Sequence, residues 1–252
     1  MRTSKVEPKN FTLLELLIVV AILSVLMSVL LPALQKAKSV ANETACVNNL
    51  KQIGVAQMGY SGDYNDWIVP SAVLSSVYWY WYYLLSGYYH CTSGYGVTYQ
   101  DYDVTKGTFV CPAERTPFGS HADGKYNYTH YAINVWLSGT KTGGAGADLW
   151  RPLSALTSPS QAKLATDSKS IGTYAFSNRW APAYRHKGVD NRTDAGMAPA
   201  ANSGRSNILY MDNHVDGKSY NDLLNETVPS YPSPFNTTMV NGFNPYKGAP
   251  AQ

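Results

Sequence analysis

The 252-residue sequence predicts an α+β fold: a long amino-terminal helix, transmembrane in its first half and amphipathic in its second, packed on a small antiparallel β-sheet domain. Three observations predict it. Residues 11 to 31 form an apolar run whose only charged member is Glu15. Apolar residues at helical spacing then continue to about Tyr60. Beyond that the chain breaks into short strand-like segments separated by Gly, Asn, Asp and Pro.

The first element follows from length. At about 1.5 Å per residue, the run from Phe11 to Leu31 makes a helix of roughly 30 Å, the hydrocarbon thickness of a bilayer. The ten residues before it, MRTSKVEPKN, carry Arg2, Lys5 and Lys9 against Glu7, which holds that end in the cytoplasm and puts the remainder outside. A secretory signal peptide would have a shorter apolar core and an A-x-A cleavage pattern, whereas this run ends in LLPALQKAK. A plain anchor accounts for everything except Glu15. A lone carboxylate inside a spanning helix costs about 2.5 to 3.5 kcal/mol on insertion scales, so its retention points to a partner.

After Pro32, Leu34, Ala37, Ala41 and Ala45 lie on one stripe, extended by Leu50, Ile53 and Met58, while Lys36, Lys38, Glu43 and Lys51 fall elsewhere. The helix is expected to stop at YSGDYND, where Gly62 and the Asn/Asp cluster supply the signal. The segments GTFVCP (107–112), YNYTHYAINVWL (126–137), QAKLATDS (161–168) and SNILYMDNHVDGKSY (206–220) read as strands. The last turns back at Asp212 and Asn213. The aromatic run 76–89 fits either a strand or a short helix, with its Tyr78–Tyr83 cluster read as core or as a partner platform; 138–148 reads as a flexible loop, and the tail from Pro229 as irregular.

Twenty Lys+Arg against seventeen Asp+Glu leave +3, with no basic footprint for nucleic acid. Cys46, Cys91 and Cys111 match no zinc or CxxC spacing, so one disulfide and one free thiol are expected in an oxidising compartment. Cys46 with Cys111 is favoured over Cys91 with Cys111, because the longer pair ties the helix to the domain.

The stretch NFTLLELLIVVAILSVLMSVLLPALQKA resembles the class III signal of type IV prepilins and type II secretion pseudopilins. The resemblance implies cleavage by a prepilin peptidase between Asn10 and Phe11, N-methylation of Phe11, and a role for Glu15 in pairing with the amino terminus of a neighbouring subunit during fibre assembly. Asn10 departs from the glycine usual before the cut. Pro32 falls where many pilins place a helix-bending proline. Further on, CVNNLKQIG, FVCPAE, YAIN and RHKG…SNILYMDNHVDG resemble prepilin-like proteins with a terminal His-x9-Asp-Gly signature, although residues 187–206 form an insertion and Asn213 replaces a glycine. The implied organisation is a leader (1–10), a membrane and assembly helix (11–31), an amphipathic stem (32–60), a pilin-like β-rich head (61–228) and a tail (229–252). The implied location is the bacterial inner membrane, with the head outside the cytoplasm, or a surface or periplasmic fibre after assembly.

Asp167, Arg185, His186, Asp212, His214 and Asp216 are the polar constellation of the domain. A base and an orienting carboxylate are present, but no nucleophile motif accompanies them, so no enzyme is expected. Asp212, Asn213 and Asp216 offer oxygens of the kind calcium takes, yet without EF-hand spacing. The expectation is therefore no cofactor, an Arg185–Asp167 ion pair, and His214 satisfied on a strand. Two function classes remain: a fibre subunit whose partners are the membrane, the peptidase, the assembly machinery and other pilins, or a membrane-anchored surface binding protein that uses the signal only for placement.

Overall fold

The computed structural model describes residues 12–74, 78–88, 94–99, 107–139, 152–176, 182–187 and 204–225. The chain divides into two compact units, Met1–Ala41 and Asn42–Gln252. Helix α1, Leu13–Asp63, begins in the first and ends in the second. The fold is α+β.

In the first unit, every large apolar side chain from Leu13 to Leu34 is exposed. Ser24 and Ser28 return their hydroxyls to the carbonyls of Val20 and Val25, so neither interrupts the apolar surface with an unpaired donor. Pro32 lies inside the helix, where it cannot donate to the backbone ladder. This stretch is long and apolar enough to cross a membrane.

In the second unit α1 turns amphipathic. Its buried residues are Cys46, Leu50, Ile53, Gly54, Ala56, Gln57, Tyr60 and Ser61, one stripe at three- and four-residue spacing. The buried Gln57 is satisfied by donating to Ser61 Oγ (2.9 Å) and accepting from the Val69 amide (3.1 Å). The helix ends at Asp63, within the expected YSGDYND stop, although it runs through Gly62 and the Asn/Asp part of that signal ends it. Asn65 (φ 47°) and Asp66 (φ 67°) take the left-handed conformation that ends it, which Asn and Asp tolerate better than most residues.

Strands β1 (Ala72–Leu74) and β2 (Tyr78–Tyr80) form an antiparallel pair. Helix α2 (Trp81–Ser86) follows β2 directly, so the aromatic run contains both of its alternatives in succession. The larger sheet has five strands: β3 (Tyr131–Asn134), β4 (Lys163–Asp167), β5 (Ala175–Phe176), β6 (Ser206–Tyr210) and β7 (Val215–Lys218), in the order β5-β3-β4-β6-β7. All neighbours are antiparallel except β3 and β5, which correct the purely antiparallel expectation at one edge. Short helices α3 (Val135–Ser138) and α4 (Tyr220–Asn225) follow β3 and β7.

Two strand assignments change. Residues 107–112 form turns: Gly107 has φ 125°, and the Val110 amide bonds back to Gly107 O. In 126–137 the strand starts only at Tyr131 and ends when Asn134 Oδ1 accepts from the Trp136 amide (3.1 Å), capping α3. The expected loop from residue 140 onward and the whole tail from Pro229 lie outside the described residues.

Alternation along the strands sorts the core into two layers. Tyr131, Ile133, Ala165 and Leu209 share one cluster with Leu50, Ile53, Ala56 and Tyr60 of α1. Ala132, Ile208 and Tyr210 join Phe176, Tyr184 and Leu223 in the other. The β6–β7 turn approaches α1 at Gly54, where an added Cβ would lie 2.1 Å from Asn213 Oδ1 and 3.1 Å from Leu209 Cδ1.

Gly54→Ala is therefore expected to lower the stability of the purified chain by about 1 kcal/mol, overpacking of about 1–3 kcal/mol being partly offset by the helix propensity alanine gains over glycine, read as a lower denaturant midpoint. Asn213→Gly, which keeps the left-handed φ of 68° accessible, should recover part of the loss. A wild-type midpoint in Gly54→Ala would show that turn and helix do not meet as described.

Candidate functional site

Two places carry chemistry, one in each unit. At the start of α1, Thr12 and Glu15 form a reciprocal capping box. The Thr12 amide and hydroxyl both donate to Glu15 Oε2 (2.9 and 2.8 Å), and the Glu15 amide donates to Thr12 Oγ1 (3.2 Å). The pattern Thr-x-x-Glu is the sequence signal for this box, and weighing Glu15 only as a membrane charge passes over it. Glu15 is exposed among apolar side chains and meets nothing beyond its own first turn in the described contacts. Asn10 and Phe11 lie outside the described residues.

The second place is a buried polar cluster on the α1 side of the larger sheet. Cys46 of α1 and Cys111 of the 107–112 turn are bonded to each other, with Cα atoms 5.2 Å apart and a sequence separation of 65. Asp167 ends β4 beside them. Its Oδ2 lies 3.1 Å from His186 Nε2 and accepts from the Asn207 amide (2.9 Å). His186 Nε2 is in turn 4.0 Å from Cys111 Sγ.

The segment 182–187 is held in place by a two-way backbone pairing of His186 with Arg205. Gly204 permits that approach: a Cβ there would lie 2.2 Å from the His186 carbonyl oxygen and 2.8 Å from that of Tyr184. Arg185 does not reach Asp167, as the sequence suggested. It pairs with Glu114 at 2.8 Å, both side chains almost wholly buried, and it donates to the Ser168 carbonyl. The physical reason is the turn after Cys111. The Glu114 amide bonds to Cys111 O, and this closes the CPAE segment so that Glu114 enters the core, where it also accepts from the Arg115 and Thr116 amides and from Tyr126 Oη. Asp167 is left for His186. The sequence reading leaves Glu114 unassigned; its signal is an acid three residues after Cys111 and two after Pro112.

The other expected residues do not converge with these. Asp212 accepts from the His214 amide (3.2 Å) and faces its ring Nδ1, and that ring stacks on Tyr210 at 4.1 Å. His214 thus lies in the β6–β7 turn, not on a strand. Asp216 pairs with Lys218 at 3.1 Å, and Asn213 faces α1. Of the aromatic run, Trp81 and Tyr82 are core, while Tyr78 remains 48% exposed and stacks on Tyr80. Cys91 lies outside the described residues.

His130 adds a pH dependence. Its Nδ1 accepts from the Cys111 amide (3.1 Å) and its ring stacks on Phe118 at 4.3 Å. Burial, and next the charge of Arg185, lower its pKa to about 3. Its folded pKa is below the unfolded value near 6.5, so protonation favours unfolding. The contribution is complete above about pH 6.5 and is lost as pH falls toward 3. At pH 4.5 the loss should be on the order of 2 kcal/mol relative to pH 7. His130→Asn, which retains an acceptor, is expected to flatten the acid limb of a melting-temperature profile by that amount. An unchanged slope would place the acid sensitivity elsewhere.

No protein-family model matches the chain, and no solved structure matches it. The chain is similar to the Type IV wide pilus major component PilA4 of Thermus thermophilus, being 41% identical over 69 residues, 27% of this chain and 53% of that protein. The chain thus spans about half the length of the curated relative it matches.

Proposed function

We propose that the chain is a structural subunit of a type IV pilus-like fibre, held in the inner membrane as a prepilin and assembled through its amino-terminal helix. The observation that carries this reading is Glu15: a carboxylate in the first turn of an exposed apolar helix, satisfied only by that turn. In water, burying so many apolar side chains elsewhere is strongly favoured, so this surface calls for lipid or for neighbouring helices. In either setting the charge is costly until an opposite charge meets it. Cleavage between Asn10 and Phe11 by a prepilin peptidase would create such a charge, the methylated amine of Phe11, on each neighbouring copy. The named function of the partial relative supports the same class. Copies of this chain or other pilins are then its partners, together with assembly machinery, and a type II secretion pseudopilus uses the same helix chemistry. No catalysis and no cofactor enter the reading.

Amino-terminal mass spectrometry of the membrane fraction is expected to find a chain beginning at methylated Phe11. A chain beginning at Met1 in cells with active peptidase would remove the processing step and leave a plain anchor.

Glu15→Ala should leave membrane insertion intact while reducing sheared surface fibres by tenfold or more, as expected from leaving about 1.4 kcal/mol or more of charge pairing unmade at each docking step. Wild-type fibre yield in that variant would exclude the pairing role.

A further inference from the structure

We propose that, when Cys46 and Cys111 are reduced, the second unit binds one zinc ion through Cys46 Sγ, Cys111 Sγ, His186 Nε2 and a carboxylate oxygen of Asp167. These four ligand atoms all lie within 4.8 Å of one another, and all four residues are buried. Two thiolates, an imidazole and a carboxylate are a complete tetrahedral set for this metal. The ligands come from α1, the 107–112 turn, the end of β4 and the segment 182–187, so no spacing pattern in the sequence announces them.

A second observation points the same way. Asp167 is fully buried, and its Oδ1 has no hydrogen-bond partner among the described residues, although its Oδ2 is held by His186 and the Asn207 amide. An unpaired buried acceptor costs about 1–3 kcal/mol and is kept where something else takes it up. In the reduced protein the two buried sulfurs hold their protons until a cation replaces them, and a metal that takes both as thiolates together with the carboxylate satisfies all three at once. Arg185 does not supply one, since it is committed to Glu114. Tetrahedral zinc with Zn–S near 2.3 Å sets its sulfurs about 3.8 Å apart, a separation that side-chain rotation allows for Cα atoms 5.2 Å apart.

The disulfide and the metal exclude each other. A disulfide-class oxidant, RSSR, takes two electrons from the zinc-bound thiolates. The S–S bond forms, Zn²⁺ leaves, and two solvent protons complete two RSH. A reductant reverses the exchange.

The full-length chain in detergent micelles, reduced with a phosphine under argon, is titrated with Co²⁺ and then with Zn²⁺. One equivalent of Co²⁺ is expected to give tetrahedral ligand-field bands and a sulfur-to-cobalt charge-transfer band, both bleached by one equivalent of Zn²⁺. The oxidised chain should show neither. Cys91→Ser should behave as wild type, and His186→Ala should weaken binding more than about tenfold. Because that variant alters the core, the comparison of reduced with oxidised wild type decides independently of it. Absence of the charge-transfer band in reduced wild type, or its persistence in the Cys46→Ser/Cys111→Ser variant, would overturn the proposal.

Discussion

The bond between Cys46 and Cys111 is the constraint around which the second unit is organised. It closes a loop of 65 residues, and in the chain-entropy account this removes about 4 kcal/mol of freedom from the unfolded state. For a sheet whose strands have two to five residues, that is a large share of the usual net stability. The bond also fixes which face of α1 is buried, since Leu50, Ile53, Gln57 and Tyr60 follow Cys46 at helical spacing. Once that face is set, Gly54 must be small where the β6–β7 turn arrives.

The same bond draws charge into the interior. Cys111 begins the turn that carries Glu114 to Arg185, and its amide donates to Nδ1 of the buried His130. A buried ion pair gains little over apolar packing, but removing one partner leaves the other charge stranded at a cost of several kcal/mol. The two acidic residues therefore specify one arrangement of loops: Glu114 with Arg185, and Asp167 with His186. Exchanging the partners would require the 107–112 turn and the end of β4 to change places.

Much of this was legible in sequence wherever periodicity alone decides. The helix could be read because its apolar residues persist at helical spacing as far as Tyr60, and β4, β6 and β7 because short β-rich runs are bounded by turn residues. The ends were less legible. The YSGDYND stop was placed correctly, but within it Asn65 and Asp66, and not Gly62, provide the left-handed residues that end the helix. The GTFVCP segment has strand composition, yet Gly107 and the covalent tie at Cys111 make it a turn. The ion pairs could not be read at all. Asp167, Arg185 and Glu114 are distant in sequence, and which acid meets which base depends on how loops close over the sheet. For Glu15 the cost in lipid is legible in the sequence, and the Thr-x-x-Glu pattern adds a local partner three residues away.

That local partner sharpens the chemistry of the first unit. A capping box is worth roughly 0.5–2 kcal/mol, enough to hold Glu15 over its own helix start while nothing better is near. It satisfies hydrogen bonds without neutralising the charge. An ammonium from another helix offers both, so it can displace the Thr12 contacts without leaving the carboxylate stranded at any stage. In the proposed fibre the helix start would then have two states, the self-capped one described here and a paired one, that differ by one incoming charge. The apolar surface beside it favours association but does not select a register, because hydrophobic burial is non-directional. Under the proposed fibre assembly, a single pairable charge on an otherwise apolar helix would supply the register, and this gives a reason for Glu15 where a plain anchor would carry leucine.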